Sequence, residues 1–570
     1  MIGYILLASG IAYVAWSLAC LEINARKALA LGIPIVRLPI DVNNIFWILL
    51  QPHIWKVLDC LPFPWASYPR VVRYLRRGWY IPAKAESHVQ LGPVWALVTP
   101  VAFDVHVAEP DAILEILTRR GDFQRPIAEL KLLELYGPCI STAPWEDWPR
   151  HRKPIATPFN ETLMKPIWDE SLRQARGMLA SWVAKADAGI PSYQQDTRTL
   201  SLNVLSAIGF GAFHDFRRSD EPVTDEIGGY HDSLKTVLDN IILLMLVPFH
   251  ILAKLPGRYA RIGRAGIDYK KHMVKLLEDE TAALGQGKPS SGAIMPSFVR
   301  AAELYHREQT ANPESHAKTG KSGLSVEEIL GDLFVINFAG HDTTANMSAF
   351  AVVCLAAHPE VQAWVAEEVA LATKEYTNME DWDYKIVYPQ LKRCRAVVYE
   401  TLRLYPPVPA LPSITSNRTH TLRVDNQTFT FPAGTKFTSN LRAMQTHPDY
   451  WPDAGEWRPS RWIANPAPTD SPLTQETMTR ERFQVPDKTI FFPWGEGPQV
   501  CPGKKFAEVE EVAVLACLFK VHRLKIKKRH STESDSAVHK RFEKCINDID
   551  LEMLVRLRDG DQVTLVCNEA

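Results

Sequence analysis

The stretch FFPWGEGPQVCPGKKFAEVE contains one thiol, Cys501, at a point where glycines, prolines and aromatics give way to an apolar-periodic run. A lone thiolate in a tight Gly/Pro loop, with backbone amides converging on it and a helix starting just after it, suits a soft ligand for a haem iron. Gly497 and Gly503 leave room for a flat macrocycle to approach the backbone. The helix expected at KKFAEVEEVAVLACLFK begins beside the sulfur, so its N-terminal dipole favours the thiolate. The competing reading is a buried structural thiol, the commonest state of a free cysteine, and the flanking glycines and prolines weigh against it.

A second polar feature interrupts an apolar run. In LFVINFAGHDTTAN, Asp342 and Thr343 follow a glycine inside an otherwise apolar helical pattern, which costs helix propensity and leaves polar groups that need partners. The pattern opens on a capping box, Ser325 with Glu328, and ends near His358 and Pro359, giving about 33 residues or roughly 50 Å of helix. Two helices, with Asp342 or Thr343 capping the second, fit the spacing equally. Further on, Glu400 and Arg403 stand at i, i+3 before Pro406-Pro407. Alone they read as an exposed ion pair, but Val397, Val398, Leu402 and Leu404 suggest burial, and a buried pair needs a further partner such as Arg461.

These groups need a large scaffold. At 570 residues and 46% hydrophobic, the chain can bury a sizeable core, and no second core is visible in its pattern. Lys and Arg total 64 against 65 Asp and Glu, a net charge of −1 that sets nucleic acid aside. Nine cysteines, odd in number and never spaced CxxC, argue against a disulfide framework or a zinc site. Residues 1–21 carry no charge and are long enough to cross a bilayer as a helix; Arg26 and Lys27 follow, so an uncleaved anchor with the remainder in the cytosol is expected. Residues 22–60 are expected as an interfacial linker, in which NNIFWILLQPHIWKVL either rests on the membrane or packs inside. Residues 61–570 form the globular domain: mainly α with small β sheets, a sheet and helix near 92–123, a hairpin near 421–437, and polar stretches at 306–323, 465–487 and 527–540 expected as surface loops.

WPRHR, AGHDTT, ETLR, WRPSRW and WGEGPQVCPG, spread from Trp148 to Gly503, together resemble a membrane-bound cytochrome P450 of the fungal microsomal type. The resemblance implies a P450-like fold behind a transmembrane helix and a haem-thiolate monooxygenase domain over 61–570. It makes Cys501 the axial ligand of heme b, with Trp494, Gly497 and Gly503 at the other fixed positions of its loop. Asp342 and Thr343 become the acid and alcohol of the oxygen-binding helix, and Glu400, Arg403 and Arg461 a structural triad. Trp148 and Arg152 fall where the haem propionates are held. Gln499 replaces the usual basic residue and Trp494 the usual phenylalanine, so propionate anchoring leans on Arg152. The pocket would be walled by Val335 to Ala339, by 406–412 and by the region around 125–140. The implied reaction inserts one oxygen atom from O₂ into a lipophilic small molecule, such as a terpenoid, polyketide or alkaloid of secondary metabolism, with electrons from NADPH through NADPH-cytochrome P450 reductase. The implied location is the endoplasmic reticulum membrane, single-pass, in contact with lipid. Lys392, Arg393, Arg395, Lys504 and Lys505 would offer the reductase a basic face. An O₂-independent isomerase or dehydratase and a non-catalytic haem sensor are the alternatives.

Overall fold

In the computed structural model, which describes residues 2–185, 188–217, 229–290, 292–311, 322–467, 472–485, 488–551 and 553–570, the N-terminal run folds as one helix, α1 (Ile2–Leu29). Tyr4, Leu7, Ile11, Val14, Trp16 and Leu18 are exposed along it, and Leu7–Leu29 is long and apolar enough to cross a membrane. The helix does not stop at residue 21 as its uncharged composition suggested. Glu22 pairs with Arg26 one turn on and with Arg37, while Ala25 and Ala28 are fully buried. Asn24 donates to the carbonyls of Thr99 and Pro100 at 3.0 and 3.2 Å, which fastens the last turns to the body.

The body there is a six-stranded sheet built from β1 (Ile35–Arg37), β2 (Val94–Val98), β3 (Phe103–Val107), β4 (Phe123–Gln124) and β5 (Leu411–Thr415), followed past the separate hairpin β6 (His420–Val424) and β7 (Gln427–Phe431) by β8 (Lys436–Ser439). Its order is β1-β2-β3-β8-β5-β4, with β1 parallel to β2 and β3 parallel to β8. The stretch expected as a linker therefore supplies an edge strand, because Ile35, Val36 and Arg37 register against Ala96, Leu97 and Val98. After it, α2 (Ile45–Leu58) is capped by Asn44, carries Pro52 inside, buries Trp55, and leaves Phe46, Leu49, Leu50 and Val57 exposed. Removing residues 2–21 is expected to release much of the protein from sedimented membranes, with α2 retaining some, while the thermal unfolding midpoint stays put because residues 22–29 remain docked. Collapse of the folded state on truncation would mean that the first part of α1 belongs to the core.

The remaining elements that frame the site are helices. After the first hairpin comes α3 (Pro110–Thr118), capped by Glu109, then α4 (Trp148–Ala156), α5 (Glu161–Val183) and α6 (Tyr193–Phe210). The long helix is a single element, α7 (Val326–Ala357), so the two-helix alternative falls. Its capping box closes with Ser325 and Glu328 each bonding the other's backbone amide. It crosses the molecule in backbone contact: a Cβ on Gly331 would lie 2.3 Å from the carbonyl of Pro138. Near the C-terminus α8 (Lys392–Leu404) and α9 (Lys504–Phe519) complete the frame, with α9 packed along α5 and α7 along α6. The polar stretch 527–540 is not all loop, since Ser534 caps a helix at Asp535–Asn547. Of the stretch 465–487, Gln475–Arg480 is helical and 468–471 and 486–487 lie outside the described residues, as do 312–321 of the first polar stretch.

The ion pair on α8 is buried. Arg403 bonds both oxygens of Glu400 at 2.9 Å, Arg461 Nε and Trp462 Nε1 each donate to the same carboxylate at 2.9 Å, and the amide of Arg458 adds a bond of 2.8 Å. The other Arg403 donors reach the carbonyls of Gln445, Ala454 and Glu456. A buried pair is tolerable when its remaining lone pairs and protons are met in this way.

Candidate functional site

Helices α4, α6, α7 and α9 and the cysteine loop enclose a cavity of about 300 Å³. The loop is shaped by its glycines, for different reasons. Gly497 has φ +73° and a Cβ there would lie 2.5 Å from the carbonyl of Leu117, so it is needed where the loop meets the end of α3. It is not among the residues that line the cavity. Gly503 does line it, at the start of α9, where a Cβ would stand 3.9 Å from Cys501 Sγ. The amide of Cys501 donates to the Trp494 carbonyl at 3.0 Å, closing the loop on itself.

Cys501 is open to this cavity. The amides of Gly503 and Lys504 and the charge of Arg152 favour its thiolate, as the helix start led one to expect, but burial outweighs them and holds the thiol above its ordinary range. A metal at the sulfur would reverse that balance, since a coordinating thiol is deprotonated outright. Trp494 packs edge-on against Tyr399 at 5.3 Å, and Lys504 lies 5.2 Å over its ring.

Two cations reach the same space. Arg152 lies 5.8 Å over the ring of Trp148, which stacks on Trp145. Arg125 also lines the cavity and donates to the Ile140 carbonyl at 2.9 Å; burial lowers its guanidinium pKa to about 10. Sequence reasoning missed Arg125 as a site residue, its one signal being a cation before a proline in FQRPI. Trp148 Nε1 and Gln499 Oε1 are buried, line the cavity and have no partner within the described residues. A thiol on one wall, two guanidiniums and an unpaired indole donor together fit a flat macrocycle that bears carboxylates and a thiolate-bound metal.

Across from the loop, α7 contributes Val335, Ile336, Ala339, Gly340, Thr343 and Thr344. The Thr343 hydroxyl donates to the Ala339 carbonyl one turn back at 2.7 Å. Thr344, not singled out from the sequence, lines the cavity beside it. Asp342 does not. It faces a second cavity, part polar and part apolar, with Arg198, Asp239 and Arg258 among its polar residues. Of the expected pocket walls, Val335 to Ala339 contributes, the 125–140 region contributes Arg125 and Ile140, and no residue of 406–412 lines the cavity.

The basic face expected for a redox partner is largely tied up. Arg393 is buried and forked onto Glu481, Lys392 donates to the carbonyls of Met478 and Glu481, Arg395 pairs with Glu508 at 2.9 Å, and Lys505 donates to Tyr388 Oη at 2.8 Å. Lys504 alone of the five is exposed. The cluster of Asp147, His151 and Glu328 has ligand atoms close enough for a metal, but Arg150 bonds both carboxylates, so it is an ion-pair network joining α4 to α7.

A family model described as cytochrome P450 matches residues 76–541. A cytochrome P450 monooxygenase of Arthrobotrys oligospora is 27% identical over 533 residues, covering 89% of this chain and 88% of the relative. One of Penicillium roqueforti is 25% identical over 530 residues, 90% and 89%. The phomenoic acid biosynthesis cluster cytochrome P450 monooxygenase of Leptosphaeria maculans is 27% identical over 541 residues, 87% of each.

Proposed function

The chain belongs to the cytochrome P450 family and is an oxidoreductase of the monooxygenase class, and from that premise we propose that Cys501 ligates the iron of heme b over the cavity described above. The family holds its haem through a cysteine thiolate, and the bound haem supplies the activation of O₂. Arg152, Arg125 and Trp148 Nε1 would take the propionates, so that the cation missing at Gln499 is replaced from the far wall. The observation that carries the reading is that Cys501 and Thr343 share one enclosed space with those two guanidiniums.

Thr343 orients a hydroxyl at the cavity while Asp342, the preceding residue, faces the second cavity behind α7. Together they offer a route by which a proton crosses the helix at the place where the reaction consumes it. The apolar walls Ile155, Phe159, Leu205 and Val335 favour a lipophilic substrate. A relative named for a biosynthesis cluster supports secondary metabolism, with a terpenoid, polyketide or alkaloid intermediate as the class we favour. Electrons are assigned to NADPH through a cytochrome P450 reductase. Arg26 and Lys27 after the apolar span support a domain on the cytosolic side of a membrane, which we assign to the endoplasmic reticulum.

The test is expression with a reductase in a host that accumulates candidate precursors, read as a product heavier by one oxygen. Thr343→Ala is expected to keep haem, substrate binding and NADPH consumption, because the thiol and the apolar walls are untouched. Product should fall roughly ten- to a hundredfold as electrons leak to hydrogen peroxide. Equal product per NADPH in both proteins removes Thr343 from the mechanism. Product without NADPH would favour an isomerase, and its absence in every host a sensor.

A further inference from the structure

The two guanidiniums assigned to the propionates stand on different stretches of chain, and one buried carboxylate is bonded to both stretches. Arg125 follows β4, and Arg152 is on α4. Asp332, in the second turn of α7, is fully buried and lines neither cavity. Its Oδ1 accepts the backbone amide of Ile140 at 2.6 Å, and its Oδ2 lies 2.8 Å from His151 Nδ1. A carboxylate only accepts, so Nδ1 carries the hydrogen. Each bond ends one link short of a cavity cation. The Ile140 carbonyl accepts Arg125 Nη1 at 2.9 Å, and His151 directly precedes Arg152. Neighbouring contacts seat the same two stretches on the same part of α7. A Cβ on Gly331 would lie 2.4 Å from the Gly137 carbonyl, and one on Gly137 would lie 2.2 Å from that of Glu327. On the other side, Arg150 bonds Asp147 at 2.7 Å and Glu328 at 2.6 Å, which holds α4 one turn earlier on α7.

Resting on the reading of a haem held at Cys501, we propose that Asp332 is the positioning residue of the propionate site: it ties the Arg125 stretch and α4 to one turn of α7 and so sets where both guanidiniums stand. The cations need such a tie. Arg125 and Arg152 are near enough to repel each other, so neither holds the other in place, and a fixed spacing has to be imposed by bonds from behind. Asp332 is suited to that task because each of its oxygens meets one donor and each donor belongs to a different stretch. Burial raises its pKa, which makes full charge costly there; what it contributes is two directed hydrogen bonds. The carboxylate touches no part of the cavity, so it acts through Ile140 and His151 alone.

The experiment uses the full-length, haem-loaded protein and reads the haem rather than product. Asp332→Ala releases the Ile140 amide and His151 together, and haem loss to an excess of apomyoglobin should become about tenfold faster, the lower end of what outer partners of a ligand set contribute. The haem reduction potential should fall, because cations that offset the propionate charges favour the reduced iron. Asp332→Asn should restore both readings. Its Oδ1 can accept the Ile140 amide and its Nδ2 can donate to His151 Nδ1, the ring hydrogen moving to Nε2, which faces Glu328 Oε1 at 3.9 Å. In an Arg125→Gln background the effect of Asp332→Ala should shrink, since one of its two arms is already gone. An Asp332→Ala protein that only melts earlier, with haem loss and potential unchanged, overturns the proposal, because that marks a carboxylate serving the fold alone. So does an Asn variant as leaky as the Ala variant, or full additivity with Arg125→Gln. Should Asp332→Ala not fold, His151→Leu cuts only the α4 arm, and haem loss at the wild-type rate in that protein overturns the proposal. A wild type that takes up no haem sinks the Cys501 reading and this proposal with it, whereas haem held equally firmly by wild type and Asp332→Ala sinks this proposal alone.

Discussion

Cys501→Ala is expected to abolish the red-shifted absorption that the reduced, CO-treated protein shows when a thiolate ligates its haem. Among the described residues no other thiol lines that cavity. Cys139, Cys354, Cys394, Cys517, Cys545 and Cys567 are buried, burial raises their pKa, and they line no cavity described here. Cys20 on α1 and Cys60 just after α2 line neither cavity. Cys501 alone opens onto the space that also holds Arg125, Arg152 and Thr343. The variant should still fold, because the loop is closed by the backbone bond from residue 501 to Trp494 and by Gly497 against Leu117, neither of which uses the sulfur. A native-like circular dichroism spectrum with the band gone is the expected pair of results. Survival of the band in Cys501→Ala would assign the iron to another cysteine.

Arg403→Ala should cost roughly 3–5 kcal/mol of stability, the range for removing one member of a buried pair, out of a total of about 5–15 kcal/mol for a folded domain. The reason lies in what is left behind. Glu400 and Arg403 are fully buried, and without the guanidinium the carboxylate loses two bonds and the carbonyls of Gln445, Ala454 and Glu456 lose their donor. Water does not reach these groups. Arg461→Ala removes only one bond to Glu400 and should be milder. Denaturant unfolding of the purified variants measures both. A loss below about 1 kcal/mol for Arg403→Ala would place the pair among ordinary surface bridges.

Local signals carried much of this structure. The capping box at Ser325 and the stop at His358-Pro359 marked the two ends of α7 to within a residue or two, while the choice between one helix and two stayed open until the structure. The hairpin expected near 421–437 is present as β6 and β7 over His420–Phe431, while Lys436 and Phe437 belong to β8 of the large sheet. What failed was long-range. Nothing local to Ile35–Arg37 announces a strand whose partner lies some sixty residues away, so the segment read as a linker. The basic face failed for the same reason: Arg393 and Lys392 look exposed until Glu481, far along the chain, folds onto them. Arg125 was invisible because its role depends on which wall it reaches, and the contact of Gly497 with the Leu117 carbonyl was invisible because its partner lies far along the chain.

The unbroken α1 makes the anchor a strut. Its outer part is apolar, its last turns are bolted to the sheet through Asn24, Ala25 and Ala28, and no hinge separates the two. A rod fixed to a body passes on its own inclination. A bilayer-crossing helix leans more in a thin membrane and less in a thick one, as its hydrophobic length is matched to the hydrocarbon. With α1 in a bilayer, the catalytic body pitches by the same angle, and the height of the cavity above the lipid becomes a function of membrane thickness rather than of chance motion on a loose tether.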